Sequence, residues 1–326
     1  MLASLFVMWS WRIRRSAVRL AALLATIIAS LLICFGLSAL TPGDAFSQLE
    51  LDPAISPATI AALRARYDSG GSIAARFEAW STGLARGDLG YSLAFHRPVA
   101  QLLRDRAPAT LRLLLLAFAL AWAMALAWAL GEACLARSRL GTALHACGGF
   151  LASAWSSLPV GFVAIVALLV APLAWLAGAA GASGSGADWP WLAAAVLACE
   201  FIPALYLQAA HALQSVLAQP FVTAARARGQ SFRRVLLSHV LPNSLDTLIP
   251  LASLTVTQLL VDTVIVETLL GWPGLGQLAV EAAARRDLPL LSAIVLLTSL
   301  LVIATSVVSD LLQAWANPRL REATET

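Results

Sequence analysis

Apolar runs recur six times along the chain, near Ala17–Leu40, Thr110–Cys134, Phe150–Trp175, Trp189–Ala212, Ser244–Leu270 and Leu288–Ala314. Each is long enough for the ~20 residues of helix that cross ~30 Å of hydrocarbon. The stretches between them have patterns of their own. In the first, Ser56 followed by Pro57 reads as an N-cap and a first helical residue, opening a helix to about Tyr67. Ile73, Phe77, Trp80 and Leu84 then recur at helical spacing, Arg86–Ser92 is a glycine-punctuated turn, and Pro98 opens a third short helix to about Arg106. This segment holds too little apolar surface for an independent domain, and the expectation is a cap on the outer membrane surface. Ala177–Asp188, rich in Gly, Ser and Ala, reads as a flexible linker.

The stretch Leu213–Pro242 reads as helix, turn, helix. Leu213, Val216 and Leu217 start it, and Ala224, Ala225 and Ala227 give a small-residue surface. Gly229 is suited to the left-handed conformation that ends a helix. Ser231 is placed to cap the next, whose Phe232, Val235, Leu236 and Val240 share a face, and Pro242 marks entry into the fifth run. It carries Arg226, Arg228, Arg233 and Arg234 and no acid. Each arginine would cost about 2.5–3.5 kcal/mol at the centre of a span, so this hairpin lies outside the hydrocarbon.

Charge fixes the orientation. Arg12, Arg14, Arg15 and Arg19 stand at the first run, Arg137 and Arg139 between the second and third, and the four hairpin arginines between the fourth and fifth. Thr41–Pro108 instead balances seven arginines against seven acids. Basic connections stay in the cytoplasm. The expected architecture is therefore an all-α membrane protein with six transmembrane helices and both termini cytoplasmic. Residues 1–16 form the N-terminus, 17–40 the first span, 41–109 the external segment with short helices, 110–314 the core including the 213–242 loop, and 315–326 the tail.

Composition narrows the chemistry. The 326 residues are 60% hydrophobic and 12% charged, far from the roughly 25% charged of a soluble domain. Every one of the 22 basic residues is arginine. Without lysine there is no phosphate-binding Gly-x-x-x-x-Gly-Lys loop and no Schiff-base amine, so any ATP hydrolysis belongs to another chain. The four cysteines lie far apart, and neither they nor the histidines have metal-ligand spacing. "GLGQLA" at Gly274 lacks the βαβ surroundings of a dinucleotide site. Inside the fifth run, Thr255, Gln258 and Asp262 fall on one helical stripe, and an acid at membrane depth is a functional candidate by default. Two readings of Asp262 stand side by side: lining a pathway for a cationic or amine-bearing solute, or bonding to a neighbouring chain.

"AARARG", with "LPN" twelve positions further on, resembles the EAA loop of ABC importer permeases. Four further stretches are similar to the permeases of dipeptide, oligopeptide and nickel importers, in the family's order. They are "RRSAVRL" with "LTPGDA", "RGDLGYSLAFHRPVAQLLRDRAPATLRL", "SSLPVGF" and "ETLLGWPGLGQLAVEAAARRDLPLL". Thr223 stands where the loop motif has its glutamate. The resemblance implies a non-catalytic subunit that forms a pathway with a second permease. It implies two ATPase subunits that use ATP and Mg2+, a periplasmic or lipid-anchored solute-binding protein, and a place in the bacterial inner membrane; this chain would bind no cofactor. Thr223, Ala224, Ala225, Arg226, Arg228, Gly229 and Pro242 would then couple to the ATPases. Glu267, Trp272, Pro273, Gly274 and Gly276 would form a tight external gate turn. The solute is expected to be a peptide or similar small molecule, with nickel the alternative within the family. A stand-alone secondary transporter or an intramembrane enzyme is the alternative of another class; Glu200 and His211, the other polar groups at depth, form no motif with Asp262.

Overall fold

The computed structural model describes residues 25–36, Pro57, 73–92, 94–135, 139–176 and 190–316, and these are helical almost throughout. The predicted helix from Pro57 to Tyr67, the Ala177–Asp188 linker and both terminal tails fall almost wholly outside them. In chain order the helices are α1 (Ala25–Gly36), α2 (Ile73–Ala85), α3 (Val99–Leu135), α4 (Arg139–Trp155), α5 (Val160–Leu176), α6 (Pro190–Leu217) and α7 (Pro220–Ala227). They are followed by α8 (Phe232–Leu270), α9 (Leu275–Ala284) and α10 (Leu288–Ala316). A two-stranded antiparallel hairpin, β1 (Tyr91–Ser92) with β2 (Arg97–Pro98), precedes α3. Among the described residues α3, α6, α8 and α10 contain stretches long and apolar enough to cross a membrane, and α1 and α5 contribute shorter apolar helices.

Four elements differ from the sequence expectation. The hairpin expected from Leu213 begins later, because Leu213, Val216 and Leu217 continue α6 to its end and the first hairpin helix starts at Pro220. The short helix expected from Pro98 to Arg106 is the first part of α3, which runs 37 residues straight through Pro108. Proline removes one N–H and crowds one carbonyl, and the 27 residues that follow carry the helix on. The expected third span, Phe150–Trp175, is not one helix: α4 ends at Trp155, the chain turns through Ser156–Pro159, and α5 begins at Val160. Conversely, the second helix of the 213–242 hairpin is continuous with the fifth apolar run, giving the single rod α8. Pro242 leaves the Ser238 carbonyl without its i+4 donor, and the chain around it widens into a π turn over Leu236–Val240. Asn243 Nδ2 donates to the His239 carbonyl at 2.6 Å and Ser244 Oγ to the Val240 carbonyl at 2.9 Å, supplying donors there.

The chain divides into two compact units, residues 1–108 with 274–303, and 109–273 with 304–326. In the first, Phe35 of α1 meets Phe77 of α2 edge-on at 5.5 Å, as the helical spacing of Phe77 and Trp80 requires. Its core joins Val99, Leu102 and Leu103 to Leu275, Leu278, Leu290 and Ile294. In the second unit α8 packs along α6 and α5, and α4 along α6. Small residues allow the close approach: a Cβ added at Gly148 would lie 3.3 Å from the Trp128 ring and 3.4 Å from the Tyr206 hydroxyl.

Candidate functional site

The arginine-rich hairpin is built as its turn residues dictate. Helix α7 begins with Pro220 at its first position, where a missing N–H costs nothing. It ends at Arg228, and Gly229 takes φ +81°, reversing the chain into α8. Ser231 occupies the N-cap with extended backbone, but its hydroxyl makes no capping bond. Ala225 and Val222 are buried against the hairpin interior with Val235, Leu236 and Val240. Thr223, Ala224, Arg226, Arg228, Gly229, Arg233, Arg234 and Pro242 are exposed. The guanidinium of Arg226 lies 5.9 Å above the Phe232 ring, and Arg228 Nε donates to the Ala224 carbonyl at 3.3 Å, closing the end of α7. His239 Nε2 lies 3.0 Å from Gln230 Oε1, tying the turn to α8. The result is a rigid, cationic knuckle with a small-residue surface.

A cavity of about 200 Å³ lies behind this knuckle, lined by Ala129, Glu132, Leu213, Gln214, Arg226 and Phe232 among others. Glu132 is buried on α3 and accepts the hydroxyl of Tyr206 from α6. Trp128 stacks on the Tyr206 ring at 4.3 Å. Neither partner was singled out from the sequence, although an acid inside the second apolar run, two residues before its end, was a signal to follow.

At the other end of α8, Glu267 is fully buried and accepts the Thr110 hydroxyl from α3 at 2.7 Å. Gly271 takes φ +65° and ends the helix, so that Trp272 N returns to the Glu267 carbonyl at 2.9 Å. The buried Trp272 donates its indole N–H to the Ala109 carbonyl at 3.3 Å. Glu267 and Trp272 are thus a double clamp between α8 and α3. Pro273 is exposed, and Gly274 caps α9, in which Gly276 is buried.

Residues 124–322 match the model of the family described as "Binding-protein-dependent transport system inner membrane component". The chain belongs to this family. It is therefore the permease subunit of an ABC importer, a multi-pass membrane protein whose relatives are components of transport systems. A putative peptide transport system permease protein of Brucella abortus (strain 2308) is 28% identical over 310 residues, 93% of this chain and 97% of that protein. The oligopeptide transport system permease protein AppB of Bacillus subtilis is 28% identical over 320 residues, 96% and 99% of the two chains. The dipeptide transport system permease protein DppB of Haemophilus influenzae is 36% identical over 110 residues, a third of each chain. Among solved structures, the inward-facing MetNI methionine ABC transporter matches with a TM-score of 0.55 at 17% identity, covering 67% of this chain and 97% of that one. That likeness is one of fold.

Within the permease, the polar stripe of α8 does not share one environment. Thr255 is buried, its hydroxyl bonded back to the Leu251 carbonyl at 2.8 Å, whereas Gln258 is exposed and Asp262 half-buried. The buried edge continues through Leu259, Thr263 and Val266, and Gln258 and Asp262 sit on the flank beside it. Asp287, between α9 and α10, is buried. It accepts Ser92 Oγ at 2.5 Å, Ala94 N at 3.1 Å and, at the N-terminus of α10, Leu290 N at 3.2 Å. Arg286 before it takes φ +57°, and Arg285 bonds the Ala94 carbonyl at 3.2 Å and stacks over Phe95. The signal for this cap was Asp-Leu-Pro, an N-cap ahead of a proline in the first turn.

Proposed function

We propose that this permease imports peptides or similar small solutes across the bacterial inner membrane, and that the hairpin formed by α7 and the start of α8 transmits the state of separate ATPase chains. A second permease completes the pathway, and a periplasmic or lipid-anchored binding protein delivers the solute. Six spans, cytoplasmic termini and an external 41–109 segment are the topology that agrees with the basic connections. The observation that carries the reading is the knuckle around Gly229. Its small-residue surface and its arginines stand exposed while its apolar face is committed to its own core. An anchor on anionic headgroups needs only the charge; a fixed left-handed turn presents a defined shape. Peptide is preferred to nickel because the relatives named above are peptide permeases.

The test is affinity purification of the tagged chain in mild detergent, with mass spectrometry of what accompanies it. A Cβ at Gly229 would meet nothing within 4 Å, so Gly229→Arg adds bulk to the surface at a backbone strain of about 1–2 kcal/mol. A second permease and ATPase chains follow the wild type, and the ATPases alone are lost from the variant. If no ATPase follows the wild type, the hairpin is an anchor and the coupling role is wrong.

A further inference from the structure

The turn between α4 and α5 sits where a membrane helix should not be broken. Its depth is set by a bond to α6. Pro203 has no N–H, so the Cys199 carbonyl lacks its helical donor, and the Trp155 indole supplies one at 3.0 Å. Cys199 lies eight residues, about 12 Å, inside the apolar helix Trp191–Leu217. Gly161, at the start of α5, faces α8: a Cβ there would lie 3.8 Å from Ile265 Cγ2. Asp262 is one helical turn from Ile265 and, like Cys199, about 12 Å from the outer end of its helix.

The turn is open and rich in acceptors. Ser153, Ser156 and Ser157 are exposed, and all three hydroxyls are donated to backbone carbonyls, two of them to that of Ser153 at 3.0 and 3.1 Å. The carbonyls of Ser156, Ser157 and Leu158 have no partner among the described residues. Unsatisfied carbonyls facing lipid cost several kcal/mol each, and irregular backbone at this depth persists only against protein or along a water-filled cavity. An unwound segment lining a cavity offers its carbonyls to cations, and the half-buried Asp262 adds a carboxylate on the facing helix.

We propose that the Ser156–Leu158 carbonyls and the Asp262 carboxylate form a cation site on the translocation pathway, which receives the ammonium group of the solute in transit. The inference rests on the permease reading and gives it a ligand chemistry: acceptors only, arranged for an N–H donor, and indifferent to the side chains beyond it. Both the helix break and the position of Asp262 serve one site.

The experiment is thiol labelling of the full chain in native membrane vesicles. The four free cysteines, Cys34, Cys134, Cys147 and Cys199, are first replaced, and Ser157→Cys is introduced. Two membrane-impermeant methanethiosulfonates are compared, one bearing trimethylammonium and one sulfonate. The cationic reagent reacts about tenfold faster than the anionic one, the effect of a carboxylate focusing cations in a low-dielectric cleft. Asp262→Asn brings the two rates together. Leu169→Cys, on the exposed apolar face of α5, reacts with neither. A Ser157→Cys as inert as Leu169→Cys means the break is packed against the second permease, and the site does not exist. Equal rates with Asp262 intact remove the carboxylate from it. ATPase co-purification from the same vesicles separates the two levels: inert thiols with ATPases attached sink this site alone, whereas missing ATPases sink the coupling role of the hairpin.

Discussion

Thr110→Val removes one hydroxyl and almost no volume, so it isolates the bond between Thr110 and Glu267. Both residues are buried, at 4% and 0% exposure, and the 2.7 Å contact joins two helices through residues 157 positions apart in sequence. Hydrogen bonds between helices in membrane proteins average about 0.6 kcal/mol and reach about 1.7. A buried carboxylate acceptor with a short contact belongs near the upper end, at about 1.5 kcal/mol. The longer indole bond from Trp272 stays in place and holds the helix ends together, so the loss is local. In a unit of this size each kcal/mol moves the melting midpoint by about 2–4 °C, and the variant melts about 3–6 °C below wild type. The assay is loss of the monodisperse peak in size-exclusion chromatography after heating detergent-solubilised protein at one fixed rate. Repeating the substitution on Glu267→Leu, where no acceptor remains, shrinks the shift by more than half if the bond is its cause. A shift below about 1 °C in the wild-type background, or equal shifts in both backgrounds, would show that the clamp carries no interaction energy of this size.

Two further outcomes follow from the packing. Asp287→Ala takes away acceptors from Ser92, Ala94 and Leu290 at once. It frees the Tyr91–Pro98 hairpin, seen as faster cleavage around Arg97 by trypsin added to intact cells whose outer membrane is permeabilised; an unchanged cleavage rate refutes the clasp. Gly148→Val drives methyl groups into Trp128 and Tyr206 and destabilises the protein by about 1–3 kcal/mol, whereas Gly149→Val meets nothing within 4 Å and melts near the wild-type temperature. The same midpoint for both would mean α4 is not packed against α3 and α6 as described.

What the sequence revealed and what it hid divide along the range of the interactions. The hairpin's turn was legible because its determinants are local: Gly229 for a left-handed turn, Ser231 at a helix start, and alternating alanines and arginines on an outer face; the start at Pro220 was missed, and Leu213–Leu217 belong to α6. The turn after Glu267 was legible through Pro273 and Gly274, although Gly271, the residue that takes the left-handed conformation, was not singled out. Helix α3 was misread because Arg104, Asp105, Arg106 and Pro108 look like a helix end, yet one lost N–H does not stop a helix whose next 27 residues favour it. The break at Ser156–Pro159 was hidden for the opposite reason. Serine and proline are tolerated inside apolar spans, and only the bond from Trp155 to a carbonyl orphaned by Pro203 shows that the chain turns there. Tyr206 and Glu132 meet across 74 positions, a pairing that leaves no local trace. Thr255 and Asp262 share a stripe on paper, but the first is buried and the second sits at the edge of the buried face.

The continuity of α8 has a mechanical consequence. Phe232 at the knuckle and Asp262 beside the break are thirty residues apart on one rod, a lever arm of about 45 Å. Pivoted at either end, a tilt of only about 5° displaces the other by about 4 Å over that length. Such a lever needs no bending and no relay of side chains. Serine and threonine hydroxyls at Ser244, Thr255, Thr257, Thr263 and Thr268 each return to a carbonyl four residues back, keeping polar groups inside the rod instead of pinning it to neighbours. The π turn beside Pro242 is a compliant joint near the knuckle, and Pro250 removes a second helical donor further along the rod. Stroke length at the Asp262 end is thus governed by how firmly the helix resists twisting at these two places.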